Sequence, residues 1–91
     1  MHFRMSRHAS EEIERRGIPF SVVERVMTQP DQVVLTYGAR TVFQSLVDFP
    51  EGRAYLVRVV VDDAADPPIV ITAYRTTKVA KYWRYGREGD L

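Results

Sequence analysis

The chain contains no cysteine. Disulfides, thiolate–metal sites and a cysteine nucleophile are therefore excluded, and the composition fits a reducing compartment. Long apolar runs are missing as well. No stretch approaches the roughly 20 residues that a membrane helix needs. The opening MHFRMSRHAS has no apolar run behind its charges, so it does not read as a signal peptide. The expectation is a cytoplasmic protein with no membrane partner. Phosphate-loop and metal-ligand spacings are absent, and DDAAD (Asp62 to Asp66) lacks the glycine and glutamate of an EF-hand loop. No metal and no cofactor is implied. Nothing places Ser21 or Ser45 beside His8 and an acid, as a serine hydrolase would require. With neither repeats nor low-complexity linkers, residues 1–91 read as a single domain, with a core over 4–84 and a frayed tail over 86–91.

Acid is also missing from one end. The chain has 13 Lys and Arg against 12 Asp and Glu. Five of those cations (Arg75, Lys78, Lys81, Arg84 and Arg87) lie in ITAYRTTKVAKYWRYGR, Ile71 to Arg87, which holds no acid. The remainder then has eight cations against 12 acids, so a nearly neutral total hides a dipolar protein. The same stretch carries Tyr74, Tyr82, Trp83 and Tyr85. A basic, aromatic surface of this kind suits a polyanion or an acidic partner.

Periodicity changes once along the chain. SRHASEEIERRG predicts a helix capped by Ser6 and closed by Arg15, Arg16 and Gly17, with Met5, Ala9 and Ile13 forming an apolar stripe. PFSVVERVMTQP predicts a second helix, opening at Pro19 and stopping before Pro30, with Phe20, Val23 and Met27 or Val22 and Val26 facing inward. So short a turn between them predicts a helical hairpin. From Asp31 the spacing becomes two. QVVLTY, RTVFQSLVDF, RAYLVRVVVDD and PIVITAYRT predict four strands, and their short connections favour an antiparallel meander. TTKVAKYWR predicts a short C-terminal helix, with Thr77 as its cap and Val79 and Trp83 docked on the sheet. The expected class is α+β: helical hairpin, four-stranded antiparallel meander, short C-terminal helix, with one sheet face partly open.

HASEEIERRGI (His8 to Ile18) and VITAYRTTKVAKYW (Val70 to Trp83), in the order helix–helix–meander, resemble a small bacterial family of unknown function that is similar to the RelE/BrnT-like toxins of toxin–antitoxin pairs. The likeness runs roughly from Arg4 to Arg84. His8, Ala9, Arg16, Gly17 and Ile18 match the family pattern, and Glu12 stands where that pattern has an arginine. The resemblance implies a RelE-like fold, metal-independent endoribonuclease activity on RNA, in some members at the ribosome, and an antitoxin-like protein partner.

Metal-free RNA cleavage needs a base for the ribose 2′-hydroxyl, an acid for the leaving 5′-oxygen, and cations around the phosphate. The candidates for proton transfer and catalysis are His8, Tyr74, Lys81 and Tyr82. Those for holding phosphate are Arg16, Arg58, Arg75, Lys78 and Arg84. Plainer readings stand beside these. His8 and Glu12 are four apart and form a helix-surface pair. Arg16 suits a helix C-terminus. Tyr74 is a sheet residue, Trp83 a core anchor, and Arg58 a partner for Glu24 or Asp48. Two functions follow: a toxin-like ribonuclease, or a non-catalytic module binding an acidic protein or nucleic acid.

Overall fold

A computed structural model describes residues 2–36, 38 and 40–85. The tail over 86–91, Tyr37 at the end of the first expected strand and Ala39 in the turn after it lie outside the described residues. Helix α1 spans Arg7–Arg15. It begins where expected, because the Ser6 Oγ accepts the Ala9 N–H at 3.0 Å and so satisfies one of the first-turn donors. It ends in a Schellman turn: Gly17 N–H donates to the Glu14 carbonyl and Ile18 N–H to the Ile13 carbonyl, at 3.0 and 3.1 Å. Gly17 makes the turn at φ 69°, and Ile18 then buries beside Ile13.

Helix α2, Phe20–Thr28, has Pro19 at its N-cap. Val23, Val26 and Met27 face inward, while Phe20 stays exposed. The two helices do not form the expected hairpin pressed together. Each packs on the sheet instead, α1 against its β5 side and α2 against β3 and β4, where β3 is Thr41–Phe49, β4 is Arg53–Asp62 and β5 is Ile69–Thr76. Burying one stripe per helix against a common sheet face removes more apolar surface from water than burying them on each other.

The sheet corrects the expected four-stranded antiparallel meander. With β1 at Arg4–Met5 and β2 at Gln32–Leu35, the order is β1-β5-β4-β3-β2, five strands. Strands β2 to β5 pair antiparallel as expected. β1, however, adds a parallel edge to β5, Arg4 opposite Ile69 and Met5 opposite Val70, so the sheet is mixed. Two residues carry no readable alternation, and the spacing to Ala9 and Ile13 places Met5 on the helical stripe. In fact it is a strand residue packed against the core ahead of the Ser6 cap.

A register shift sets the faces. Val60 pairs with Thr72 but Val61 pairs with Val70, leaving Ile71 as the extra residue. Val70 and Ala73 therefore both reach the helix-covered core, with Val57, Val59 and Val61 from β4. Thr72, Tyr74 and Thr76 take the other face. That face also buries Val34, Val42 and Leu56. Across it lies the one-turn helix α3, Val79–Tyr82, whose N-cap is Lys78 rather than Thr77. Among the described residues no helix is long and apolar enough to cross a membrane.

Gly17→Ala would place a Cβ at an ordinary 3.6 Å from the Arg75 Nη2, so its cost is that of the left-handed backbone alone. The expected loss is about 1–2 kcal/mol, read by urea unfolding, with Gly17→Asn milder. An alanine variant as stable as wild type would show that the helix stop does not depend on this φ.

Candidate functional site

Four strands bring four polar side chains into one line. Gln32 on β2 is opposite Gln44 on β3, Gln44 opposite Arg58 on β4, and Arg58 opposite Tyr74 on β5. Directly opposed residues hold their Cβ atoms about 5 Å apart, close enough for each to bond the next. The Gln44 Nε2 donates to Gln32 Oε1 at 2.8 Å. The Arg58 Nε donates to Gln44 Oε1 at 2.8 Å, and its Nη1 donates to the Tyr74 hydroxyl at 2.6 Å. Gln44 is fully buried and Arg58 only 8% exposed. Burial of such groups is tolerated only when they are hydrogen-bonded.

The row also fastens the C-terminal arm. Gln44 Nε2 donates to the Tyr82 carbonyl at 3.3 Å. The Gln32 amide takes both backbone groups of Arg84, accepting its N–H at 3.0 Å and donating to its carbonyl at 2.6 Å. The arm thereby lays the Tyr82 ring on the arginine, 4.1 Å from Arg58 Cζ to the ring centroid. Tyr74 meets Tyr82 edge-on, with centroids 6.2 Å apart.

No carboxylate among the described residues pairs with Arg58. Among the described residues none lies within 4.0 Å of it, including the two expected partners, Glu24 and Asp48. Two of the five guanidinium donors are taken by Gln44 and Tyr74. The group lines a cleft of about 540 Å³ with Leu35, Thr36, Tyr82 and Arg84. The described lining has two cations and no acid, which makes the cleft receptive to an anion. A second groove, about 510 Å³, lies at the helix junction among Met5, Ile13, Ile18 and Phe20. Its one charged lining residue is Glu14, so it offers an anion nothing.

The two tyrosines are pushed apart in acidity. Burial raises the Tyr74 hydroxyl above its usual range, only partly countered by Arg58. Tyr82 is lowered, first by hydrogen bonding from the Tyr74 hydroxyl and then by the Lys81 ammonium, whose Nζ sits 5.2 Å from the ring centroid. The Arg58 Nη1–H points into the Tyr74 oxygen, which leaves the Tyr74 hydroxyl proton to turn away from it.

Five of the nine candidate residues therefore meet at this cleft or its rim: Arg58, Tyr74, Lys81, Tyr82 and Arg84. Four do not join them. His8 is 75% exposed and pairs with Glu12 at 3.3 Å. Arg16 donates to the Ala73 carbonyl at 2.9 Å and to Thr72 Oγ1 at 3.2 Å, closing the part of β5 that β1 leaves uncovered. Glu12 accepts the Thr72 hydroxyl at 2.6 Å. That bond, with Arg16, His8 and Arg15 around it, holds the Glu12 carboxyl below its usual range despite desolvation. Arg75 lies on the helix face between Phe49 and Tyr55, 4.5 and 4.6 Å from their centroids, and meets Glu51 at 3.4 Å. Lys78 is exposed at the start of α3. Gln32 and Gln44 went unrecognised in the sequence. The available signal was a glutamine inside the apolar run TVFQSLV, at the strand position that faces Arg58 once the hairpin is folded.

A family model described as a domain of unknown function, DUF4258, matches residues 5–75. The chain belongs to the DUF4258 family. Comparison with curated proteins and with solved structures finds no match. Membership of DUF4258 names no activity and lends nothing to the toxin or ribonuclease roles that the RelE/BrnT likeness implies. The matched span holds the whole Gln32–Gln44–Arg58–Tyr74 row and ends before α3 and the arm.

Gln44→Leu keeps the volume but leaves the Arg58 Nε without its acceptor. The expected cost is about 1–3 kcal/mol, measured by urea unfolding, together with faster amide exchange at Arg84. Unchanged exchange at Arg84 would mean that the arm docks independently of the row.

Proposed function

We propose that this DUF4258 domain binds RNA through a backbone phosphate in the Arg58 cleft and cleaves the strand there as a metal-independent endoribonuclease. The observation that carries this reading is Arg58 itself: a guanidinium 8% exposed, lining a cleft, with no carboxylate within 4.0 Å among the described residues. A phosphate supplies the missing charge and matches the planar fork. Arg84 adds a second cation to the cleft, and Lys78 and Lys81 extend the positive surface along the backbone. The RelE/BrnT resemblance points to the same substrate. An antitoxin-like protein would inhibit by laying acidic side chains over this cleft.

Cleavage uses the tyrosine pair. The Tyr82 phenolate takes the proton of the ribose 2′-hydroxyl, and the freed 2′-oxygen attacks the adjacent phosphorus. The bond from phosphorus to the 5′-oxygen breaks, and that oxygen takes a proton from the Lys81 ammonium. The products are a 2′,3′-cyclic phosphate and a 5′-hydroxyl. Arg58 and Arg84 hold the phosphate oxygens as charge builds on them. A second reading, binding without cutting, is favoured by one observation: His8, the imidazole expected to serve, lies on α1 paired with Glu12 and not in the cleft.

The test is incubation with end-labelled RNA in EDTA at low salt. Wild type is expected to give cyclic-phosphate ends. Arg58→Met and Tyr82→Phe are expected to lose at least 100-fold in rate, on the order of removing one proton-transfer or charge-stabilising group, while Arg25→Ala on the exposed face of α2 does not. Because the base must be deprotonated, the rate rises with pH through the lowered Tyr82 value, and Lys81→Met, which lacks the proton donor for the leaving oxygen, cleaves more slowly at every pH. RNA that is bound but never cut would establish the binding-only reading, and cleavage surviving Arg58→Met would place the site elsewhere.

A further inference from the structure

We infer that the groove at the helix junction docks a segment of a partner protein, with one large apolar side chain in the groove and a neighbouring lysine or arginine on Glu14. This goes beyond the RNA reading and does not depend on it. Ile13 and Ile18 of the groove belong to the core with Val57 and Val59, whereas Arg58 between them points to the other face of the sheet. Those two isoleucines, each 3% exposed, form the floor. Met5, Pro19 and Phe20 add apolar wall, and the volume of about 510 Å³ is in the range of built binding pockets.

Phe20 marks this surface as incomplete. Its spacing with Val23 and Met27 predicts an inward side chain, yet it is 54% exposed. Among the described residues its one aromatic neighbour is Phe3, with ring centroids 6.1 Å apart. Phenylalanine and methionine are enriched at protein interfaces, and Met5 and Phe20 both line the groove. Its polar lining is Ser10 and Glu14, one turn apart on α1. Among the described residues no cation lies within 4.0 Å of Glu14, and Arg4 and Arg7, near it in the chain, are not in the described lining. Glu24, one turn beyond Phe20 on α2, is exposed and has no cation within that distance either. An apolar groove edged by carboxylates fits a segment that is apolar and basic, not apolar and acidic. Burial of the apolar side chain supplies the affinity. The exposed ion pair adds less and decides which sequence fits.

The experiment follows amide chemical shifts during titration with three capped tetrapeptides. The first is alanine–phenylalanine–lysine–alanine, the second has glutamate for lysine, and the third has alanine for phenylalanine. The first is expected to move the amides of Ile13, Gly17, Ile18 and Phe20, and to bind about fivefold more tightly than the second, the scale of one exposed ion pair. The third should bind at least about tenfold more weakly than the first. Glu14→Gln should bring the first two within about twofold, and Phe20→Ser should weaken the first about fivefold. Unmoved sheet amides show that both variants are folded. Phosphate at constant ionic strength should leave peptide binding unchanged, whatever becomes of the RNA reading. Competition by phosphate would place the peptide in the Arg58 cleft and overturn the docking site. So would unmoved amides at the groove, or a glutamate peptide that binds as well as the lysine peptide. If the same amides move with protein concentration alone, a second copy covers the groove and the partner is overturned.

Discussion

A buried guanidinium with no carboxylate within 4.0 Å among the described residues constrains its face of the sheet. Taking such a charge out of water costs several kcal/mol unless its donors are met, and the fold meets part of that demand with neutral groups. Gln44 accepts from its Nε, the Tyr74 oxygen accepts from Nη1, and the Tyr82 ring lies against its plane. Each of these depends on strand register, since a slip of one residue would turn Gln44 or Tyr74 to the helix side. The arm depends on the row in turn, because the amides that orient Arg58 are linked to those that hold Tyr82 and Arg84.

The contrast with Arg75 shows what is unusual. Both arginines stack on aromatic rings in neighbouring strands, on opposite faces. Arg75 has two rings and the carboxylate of Glu51, so its charge is answered within the protein. Among the described residues Arg58 has only rings and neutral oxygens. Glu12 presents the inverse case, a carboxylate ringed by His8, Arg15, Arg16 and the Thr72 hydroxyl. That cluster pins α1 to the bare part of β5, and it explains an acid where the resembled family pattern has an arginine. Of these three charges, Arg58 alone has no opposite charge within 4.0 Å among the described residues.

Much of the scaffold was legible because it is set by local chemistry. Ser6, Gly17 and the alternation of the four long strands carry their own signals of cap, stop and face. Strand β1 was not, since its two residues acquire strand identity only from pairing with Ile69 and Val70. The sheet was therefore read as purely antiparallel when it is mixed. Of the site, Arg58 announced itself as a charge among valines, and the basic aromatic tail announced the arm. Gln32 and Gln44 did not, because their importance comes from alignment across three hairpin pairings rather than from any neighbour in sequence. His8 and Arg75 matched the chemistry by residue type, but His8 pairs with Glu12 one helical turn away and tertiary placement gives Arg75 Phe49, Tyr55 and Glu51.

The most direct test of the account is the melting temperature of wild type and Arg58→Met as phosphate is raised against sodium chloride of equal ionic strength. If an anion completes the charge of Arg58, wild type gains stability with phosphate in the manner of a ligand that binds only the folded state. Arg58→Met would not respond, whatever its stability without phosphate, which sets the removed charge against a buried Gln44 oxygen left without its donor. An equal response to phosphate in both proteins would contradict the account, because the anion would then be held by something other than Arg58.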